Sequence, residues 1–165
     1  KNDLRRMKLH SVCESARCPN MNECFHRGAA TFMILGNVCT RGCAFCSVPK
    51  GSPKKREMPL DPAEPAHVAG MAAEMKLRYV VITSVNRDDL PDGGSAHFAE
   101  TVRLVRLALP EARVEVLTPD FCGSLDAVAR VLDADHMFST TTWRRFRGCT
   151  GRCARRQTTG NRWRC

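Results

Sequence analysis

The sequence predicts an α/β fold built on parallel βαβ units, with a cysteine-rich segment ahead of it. Two observations carry this: two apolar runs and a third strand segment within 113–118 alternate with three stripes of helical spacing, and six of the ten cysteines fall between Cys13 and Cys46. Continuous apolar runs are the habit of strands covered on both faces, as in parallel sheets, and the intervening helices supply the crossovers.

Residues 30–35 form the first apolar run, fit for a buried strand and ended by Gly36. A Pro-, Lys- and Gly-rich loop is expected over 48–65. Val68, Met71, Ala72 and Met75 then recur at i, i+3, i+4 and i+7, the spacing of one helix face. Residues 79–83 are the second run, bounded by the polar stretch 84–95. Phe98, Val102, Val105 and Leu109 make the second helical stripe, with Ser95 placed to cap it and Pro110 to stop it. A third strand is predicted within 113–118. Ser124 is a suitable N-cap for a third helix carrying Leu125, Val128, Ala129 and Leu132. In open parallel sheets function collects at the carboxyl ends of the strands, so the segments after Leu35, Thr83 and Thr118 are the ones to inspect.

Composition excludes several classes. With 165 residues, 43% apolar and 26% charged, the chain has the make-up of one globular domain. No apolar run approaches the roughly 20 residues that would cross a bilayer, and no export signal follows the first residues, so neither a membrane nor a secreted disulfide scaffold is expected. Of the net charge of +9, all but +1 lies at the end of the chain. Residues 1–138 hold 18 Lys and Arg against 17 Asp and Glu, whereas 139–165 hold 8 Arg and no acid. No nucleic-acid partner is therefore expected, because the electrostatic footprint of a phosphate-binding surface is missing from the body of the chain.

The cysteines carry the chemistry. Cys39, Cys43 and Cys46 form a Cys-x3-Cys-x2-Cys triplet directly after the first strand. Three thiolates on one tight loop can hold three corners of a cubane 4Fe-4S cluster and leave the fourth iron open to reaction. Gly42 would let the backbone bend around the cluster, with Val38, Ala44 and Phe45 supplying dry surroundings. The rival is a zinc knuckle, but zinc needs a fourth Cys or His, and residues 47–65 provide none. Cys13, Cys18 and Cys24 form a second triplet, Cys-x4-Cys-x5-Cys, which alone would suit zinc or a cluster.

Both triplets, separated by Ala30-Thr-Phe-Met-Ile-Leu-Gly36 and followed by Val81-Ile-Thr-Ser-Val-Asn-Arg-Asp-Asp-Leu-Pro-Asp-Gly-Gly94 and Val114-Glu-Val-Leu-Thr-Pro-Asp-Phe121, closely resemble the lipoyl synthase family of the radical S-adenosylmethionine (SAM) superfamily. The resemblance runs from about residue 9 to 138. One triplet would identify only the superfamily; both, with the Arg-Asp-Asp-Leu segment, point to this member. Other sulfur-inserting radical SAM enzymes place their auxiliary ligands elsewhere, and a noncatalytic zinc module remains the reading from a different class.

The resemblance implies a partial (β/α)6 radical SAM barrel, of which this chain holds the first half, over 30–138, behind an N-terminal segment, 1–29, with auxiliary cluster ligands. It implies two 4Fe-4S clusters and S-adenosylmethionine. Cys39, Cys43 and Cys46 would hold the cluster that cleaves S-adenosylmethionine, and Cys13, Cys18 and Cys24 an auxiliary cluster that donates sulfur. The reaction implied is sulfur insertion at C6 and C8 of a protein-bound octanoyl group. Implied partners are octanoylated lipoyl carrier domains, namely 2-oxoacid dehydrogenase E2 subunits and the glycine cleavage H protein, and a ferredoxin- or flavodoxin-type electron donor. A cytoplasmic bacterial setting is expected, with a mitochondrial one left open because a segment upstream of Lys1 is expected to be missing.

Thr83, Ser84, Asn86, Arg87 and Asp88 lie where the family lines its S-adenosylmethionine pocket, and Phe45 and Glu115 join them as cofactor candidates. Asp120 is a weaker candidate for a ribose or substrate contact. His26, His67 and His97 read as surface or packing residues, Cys122 as a buried or spectator thiol, and Lys54, Lys55 and Arg56 as a solvated loop that could meet an acidic carrier domain.

After Phe138 the resemblance breaks. Where the family continues with a segment such as Asn-His-Asn-Leu-Glu-Thr-Val-Pro-Arg-Leu-Tyr-Arg, the chain reads Thr140-Thr-Thr-Trp-Arg-Arg-Phe-Arg-Gly-Cys-Thr-Gly151. A one-base shift in codons for the first encodes the second, so residues 139–165 are expected to be an out-of-frame tail. Cys149, Cys153 and Cys165 then have no role. With half a barrel, and without the serine that the family supplies to its auxiliary cluster, the chain as given is expected to be inactive as a lipoyl synthase, although its six cysteines could still assemble iron and sulfide.

Overall fold

The computed structural model describes residues 6–7, 9–44, 46–51 and 59–135. Phe45, the Lys54 to Arg56 loop and the Arg-rich tail lie outside them.

Four strands form one open sheet in the order β1-β2-β3-β4: β1 (His10–Ser11), β2 (Ala29–Ile34), β3 (Tyr79–Ser84) and β4 (Arg113–Leu117). The three long strands are parallel, in a register that pairs Phe32 with Ile82 and Ile82 with Val116. Each apolar run thus became a strand within one residue of its expected bounds. β1 runs antiparallel to β2, setting His10 opposite Met33. No sequence signal marked it, since two residues are too few to show a period.

Two short helices, α1 (Val12–Ser15) and α2 (Met21–His26), separate β1 from β2. The βαβ crossovers are α3 (Glu64–Glu74) and α4 (Ser95–Ala108), and α5 (Leu125–Asp135) follows β4. All three pack on the sheet face that carries Phe32, Ile34, Val80, Ile82, Val114 and Val116, each at most 1% exposed. Val68, Met71 and Ala72 of α3 and Phe98, Val102 and Val105 of α4 fill that core as their spacing predicts. The opposite face, with Thr31, Val81, Thr83, Glu115 and Leu117, is half-buried.

Two details of the helices depart from expectation. Ser95 does not cap α4; it is the first helical residue and fully buried. The cap comes from Asp92, whose Oδ2 accepts from the Ala96 amide at 2.9 Å and Oδ1 from the Gly94 amide at 3.0 Å. The left-handed Gly94 (φ 84°) turns the chain between them. Ser124 does cap α5, accepting from the Ala127 amide at 3.2 Å. The buried face of α5, however, is Ala127 and Val131, while Leu125 is 82% exposed and Ala129 is also on the outside. Its sequence offers two apolar registers sharing Val128, and packing against α4 selects the one with smaller side chains.

Candidate active site at the strand ends

The turn that launches the first cysteine loop is built from buried polar groups. Leu35 and Gly36 both have positive φ (70° and 92°), which ends β2 abruptly. The Leu35 amide donates to Glu64 Oε2 at 2.9 Å and its carbonyl accepts from Arg87 Nη1 at 3.2 Å. Arg87 is itself forked onto Asp89, at 2.8 and 2.9 Å. The Leu35 side chain lies where a Cβ on Gly94 would sit, 2.6 Å from its Cδ1. A buried residue in this conformation persists only if its surroundings over-determine it, and here they do.

Beyond that turn, residues 39–51 close on themselves: the Cys39 amide donates to the Pro49 carbonyl at 2.9 Å, and the Gly51 amide to the Cys39 carbonyl at 3.0 Å. Cys39, Cys43 and Cys46 are half-buried free thiols on this loop. Cys39 Sγ accepts from two backbone amides, those of Arg41 and Asn86, each at 3.4 Å. The Thr40 amide donates in turn to the Asn86 carbonyl at 3.1 Å, so the loop is stitched to the end of β3. Gly42 is the residue expected to let the backbone bend around the cluster. Its φ is not left-handed, and among the described residues a Cβ there would meet only Lys50 Cδ, at 3.7 Å.

The second triplet lies on the two short helices: Cys13 on α1, Cys24 on α2 and Cys18 between them, all half-buried. Ser11 fixes this unit to the sheet. Its hydroxyl donates to the Thr31 carbonyl at 2.9 Å and accepts from the Cys13 amide at 3.1 Å, capping α1. Sequence reasoning missed Ser11, although a serine two residues ahead of a cysteine that opens a helix was a visible signal.

The other candidates divide by how their polar groups are used. Thr83 Oγ1 donates to the Leu117 carbonyl at 3.2 Å, across the half-buried face. Glu115 accepts from the Tyr79 hydroxyl on that same face. Asp88 is forked by Arg41 and bonded to Thr40 Oγ1 at 3.0 Å. Burial alone would raise the Asp88 carboxyl, but donors from Arg41, Cys122 and Thr40 outweigh it and hold the group below its ordinary value. Ser84 differs from these: its Oγ is enclosed and has no hydrogen-bond partner among the described residues.

Cys122 is exposed, which overturns the buried half of its reading as a buried or spectator thiol. It sits on a left-handed turn with Phe121 and Gly123, where the Phe121 ring, packed edge-on to Phe98, anchors the chain and leaves the next side chain outside. Burial of its sulfur and the nearby Asp88 carboxylate push the Cys122 thiol up, away from thiolate character. Of the histidines, His26 is on the surface, while His97 is enclosed and bonded to Glu64 at 2.7 Å.

Among the described residues no three His, Cys, Asp or Glu side chains converge where a single metal ion would sit. A cubane makes no such demand, because each of its cysteine ligands binds a different iron. Three half-buried thiols on one closed loop, one of them under two amide N–H groups, fit a cluster better than a tetrahedral zinc centre.

These features define a parallel α/β protein with a cysteine loop at its strand ends, and the family model of the radical SAM superfamily matches residues 33–140. The chain belongs to the radical SAM superfamily. Membership implies a 4Fe-4S cluster and S-adenosylmethionine. Its sequence is 50% identical over 151 residues to the lipoyl synthase of Chloroflexus aggregans (87% of this chain, 48% of that protein). It is 55% identical over 131 residues to that of Laribacter hongkongensis (79% and 40%), and 56% identical over 131 residues to that of Nitrosospira multiformis (79% and 40%). The resemblance read from the two triplets and the Arg-Asp-Asp-Leu segment is borne out, and the chain spans less than half the length of these relatives. No helix among the described residues is long and apolar enough to cross a membrane.

Proposed function

We propose that the chain carries the cluster-binding half of a lipoyl synthase, acting in sulfur insertion at C6 and C8 of an octanoyl group held on a carrier protein. The observation that carries this reading is the docking of the residue 39–46 loop on the end of β3, with Cys39 Sγ beneath the amides of Arg41 and Asn86. In this reading Cys39, Cys43 and Cys46 hold the cluster that meets S-adenosylmethionine, and Cys13, Cys18 and Cys24 hold an auxiliary cluster. When bound, the first group supplies a hydrogen-abstracting radical and the second supplies sulfur.

The chain's own residues divide the remaining work. Amide N–H groups on Cys39 Sγ stabilise negative charge on the sulfur and so favour the reduced cluster. Glu64 and Arg87 fix the Leu35 turn from which the loop departs. Ser84, at the end of β3, stays a proposed S-adenosylmethionine contact; its hydroxyl is enclosed and has no hydrogen-bond partner among the described residues. Arg87 and Asp88 contribute by holding backbone and loop, since their charged groups are engaged within the protein. The octanoylated substrate would approach the half-buried sheet face, where Thr83, Glu115 and Leu117 lie. Residues 1–29 and 30–138 then act as an auxiliary-cluster segment and a part-barrel.

Anaerobic reconstitution with iron and sulfide, followed by S-adenosylmethionine and a strong reductant, tests the reading. A brown protein that releases 5′-deoxyadenosine is expected, with release abolished by Cys43→Ala. A colourless protein that takes up zinc in place of iron would overturn it in favour of a structural zinc module.

A further inference from the structure

Arg41 lies inside the Cys-x3-Cys loop, and its guanidinium reaches the ends of two other strands. Nε and Nη2 form a fork on Asp88, at 2.9 Å to Oδ2 and 2.8 Å to Oδ1. Nη1 meets Asp120 Oδ2 at 2.7 Å. Asp88 belongs to the loop after β3 and Asp120 to the loop after β4, so one side chain ties together three segments that are 47 and 79 residues apart in sequence. Each acceptor is also held by a contact of its own. Asp120 is set by the turn whose Phe121 ring packs against Phe98 and within 3.2 Å of where a Cβ on Gly93 would lie. Asp88 is set by its amide, which donates to Thr40 Oγ1 at 3.2 Å.

We propose that Arg41 is a positioning residue, which by spanning Asp88 and Asp120 locks the cysteine loop against β3 and β4 and so holds Cys39 Sγ under the amides of Arg41 and Asn86. The Arg41 and Asp88 side chains are only 20% and 23% exposed, whereas Asp120 is 58% exposed. The fork is therefore the stronger arm and the Asp120 contact the more screened one. Lysine could not replace it, because a single ammonium on a flexible stem cannot engage both oxygens of one carboxylate and reach a second carboxylate. The clamp has an electrochemical consequence that rests on the cluster reading above: slackening the loop weakens the N–H contacts to Cys39 sulfur and lowers the potential of the bound cluster.

The test compares the chain with its R41M, R41K, D120N and R103M variants; Arg103 pairs with Glu100 on the same helix and serves as the control. Pulsed alkylation of the metal-free chain by iodoacetamide, mapped to each thiol by mass spectrometry, reads the clamp without any cofactor. Cys39 should react faster in R41M and R41K by about tenfold, as expected from losing all three charge-assisted bonds in the first and at least one arm of the fork in the second. D120N should have a smaller effect and R103M none, and Cys13, Cys18 and Cys24 should keep their rates throughout. In the reconstituted chain, a redox titration followed by electron paramagnetic resonance should give a lower midpoint for R41M and R41K. If even the unsubstituted chain takes up no cluster, the cofactor reading fails and the alkylation pattern alone decides on the clamp. An unchanged Cys39 rate in R41M, an equal rise at all six thiols, or recovery of the original rate in R41K would each overturn the proposal.

Discussion

Glu64 and His97, from neighbouring helices, meet at 2.7 Å between Oε2 and Nε2, and the same carboxylate oxygen accepts the Leu35 amide at 2.9 Å. The Glu64 and His97 side chains are 8% and 9% exposed, so this is a buried polar junction between the helix layer and the turn that ends β2. An ionised Glu64 can only accept hydrogen bonds, which requires His97 to carry a proton on Nε2.

Glu64→Ala should therefore leave two enclosed donors unsatisfied and destabilise the chain by about 2–6 kcal/mol, at the usual 1–3 kcal/mol for each buried group that loses its partner. Glu64→Gln keeps an acceptor for one of them and should cost less. Urea denaturation of the three proteins checks this. Equal midpoints for the Ala variant and its parent would mean that water reaches the junction.

Two glycines should respond in opposite directions to the same substitution. Gly70 lies within α3 on its exposed side, where an added Cβ meets nothing within 4 Å. Gly70→Ala should stabilise by roughly 0.5–1 kcal/mol, the ordinary gain from restricting the unfolded chain in favour of a helix. Gly94 has φ 84°, and a Cβ there would sit 2.6 Å from Leu35 Cδ1. Gly94→Ala should destabilise by about 1–3 kcal/mol from backbone strain, with a further loss as Leu35 is displaced. A thermal midpoint that falls for Gly70→Ala or holds for Gly94→Ala would contradict the backbone described.

Much of the fold was legible because the strands and helices α3 and α4 are covered by apolar neighbours at regular spacing, and Val80, Ile82, Phe98 and Val102 are all fully buried. Legibility failed where a pattern admitted two solutions. The α5 segment can present Leu125, Val128, Ala129 and Leu132 or Ala127, Val128, Val131 and Ala134, and only the position of α4 decides between them. The cysteine ligand candidates were legible because thiols at short, fixed spacings are rare in a sequence. Their supports were not: Arg41 and Asp120 are 79 residues apart, and Glu64 and Leu35 are 29. A charged residue in a loop shows nothing in sequence of which distant carboxylate it will meet.

Asp92 gives a pH dependence with a definite sign. Burial raises its carboxyl, but the amides of Ala96 and Gly94 and the Ser95 hydroxyl outweigh that and hold it below its ordinary value. In the relevant window the unfolded chain binds the proton more readily than the folded one. The stabilisation is therefore complete above the ordinary carboxylate value, about pH 4, and is lost as pH falls through the depressed folded value. Asp92→Ala should cost about 1 kcal/mol near neutrality, as loss of an N-terminal cap does, and the gap between the two proteins should close on acidification below about pH 4. Urea midpoints measured for both from pH 7 to pH 3 decide it; a gap that widens in acid would mean that the neutral carboxylic acid is the better cap.

Iron content should divide between the two triplets. If each holds a cubane, the anaerobically reconstituted chain should carry about eight irons, four per cluster. Replacing Cys39, Cys43 and Cys46 together by Ala should halve that and remove S-adenosylmethionine-dependent release of 5′-deoxyadenosine. Replacing Cys13, Cys18 and Cys24 should also halve the iron yet spare the release, because the auxiliary thiols sit on and between α1 and α2, tied to β2 through Ser11 and not through the loop at residues 39–51. The two sets of variants also separate a cluster from adventitious iron. Iron bound by scattered thiols would fall in proportion to the cysteines removed and would leave no subset able to cleave S-adenosylmethionine. Loss of cleavage in both sets would mean that the triplets act as one centre, and the assignment of separate clusters would have to be withdrawn.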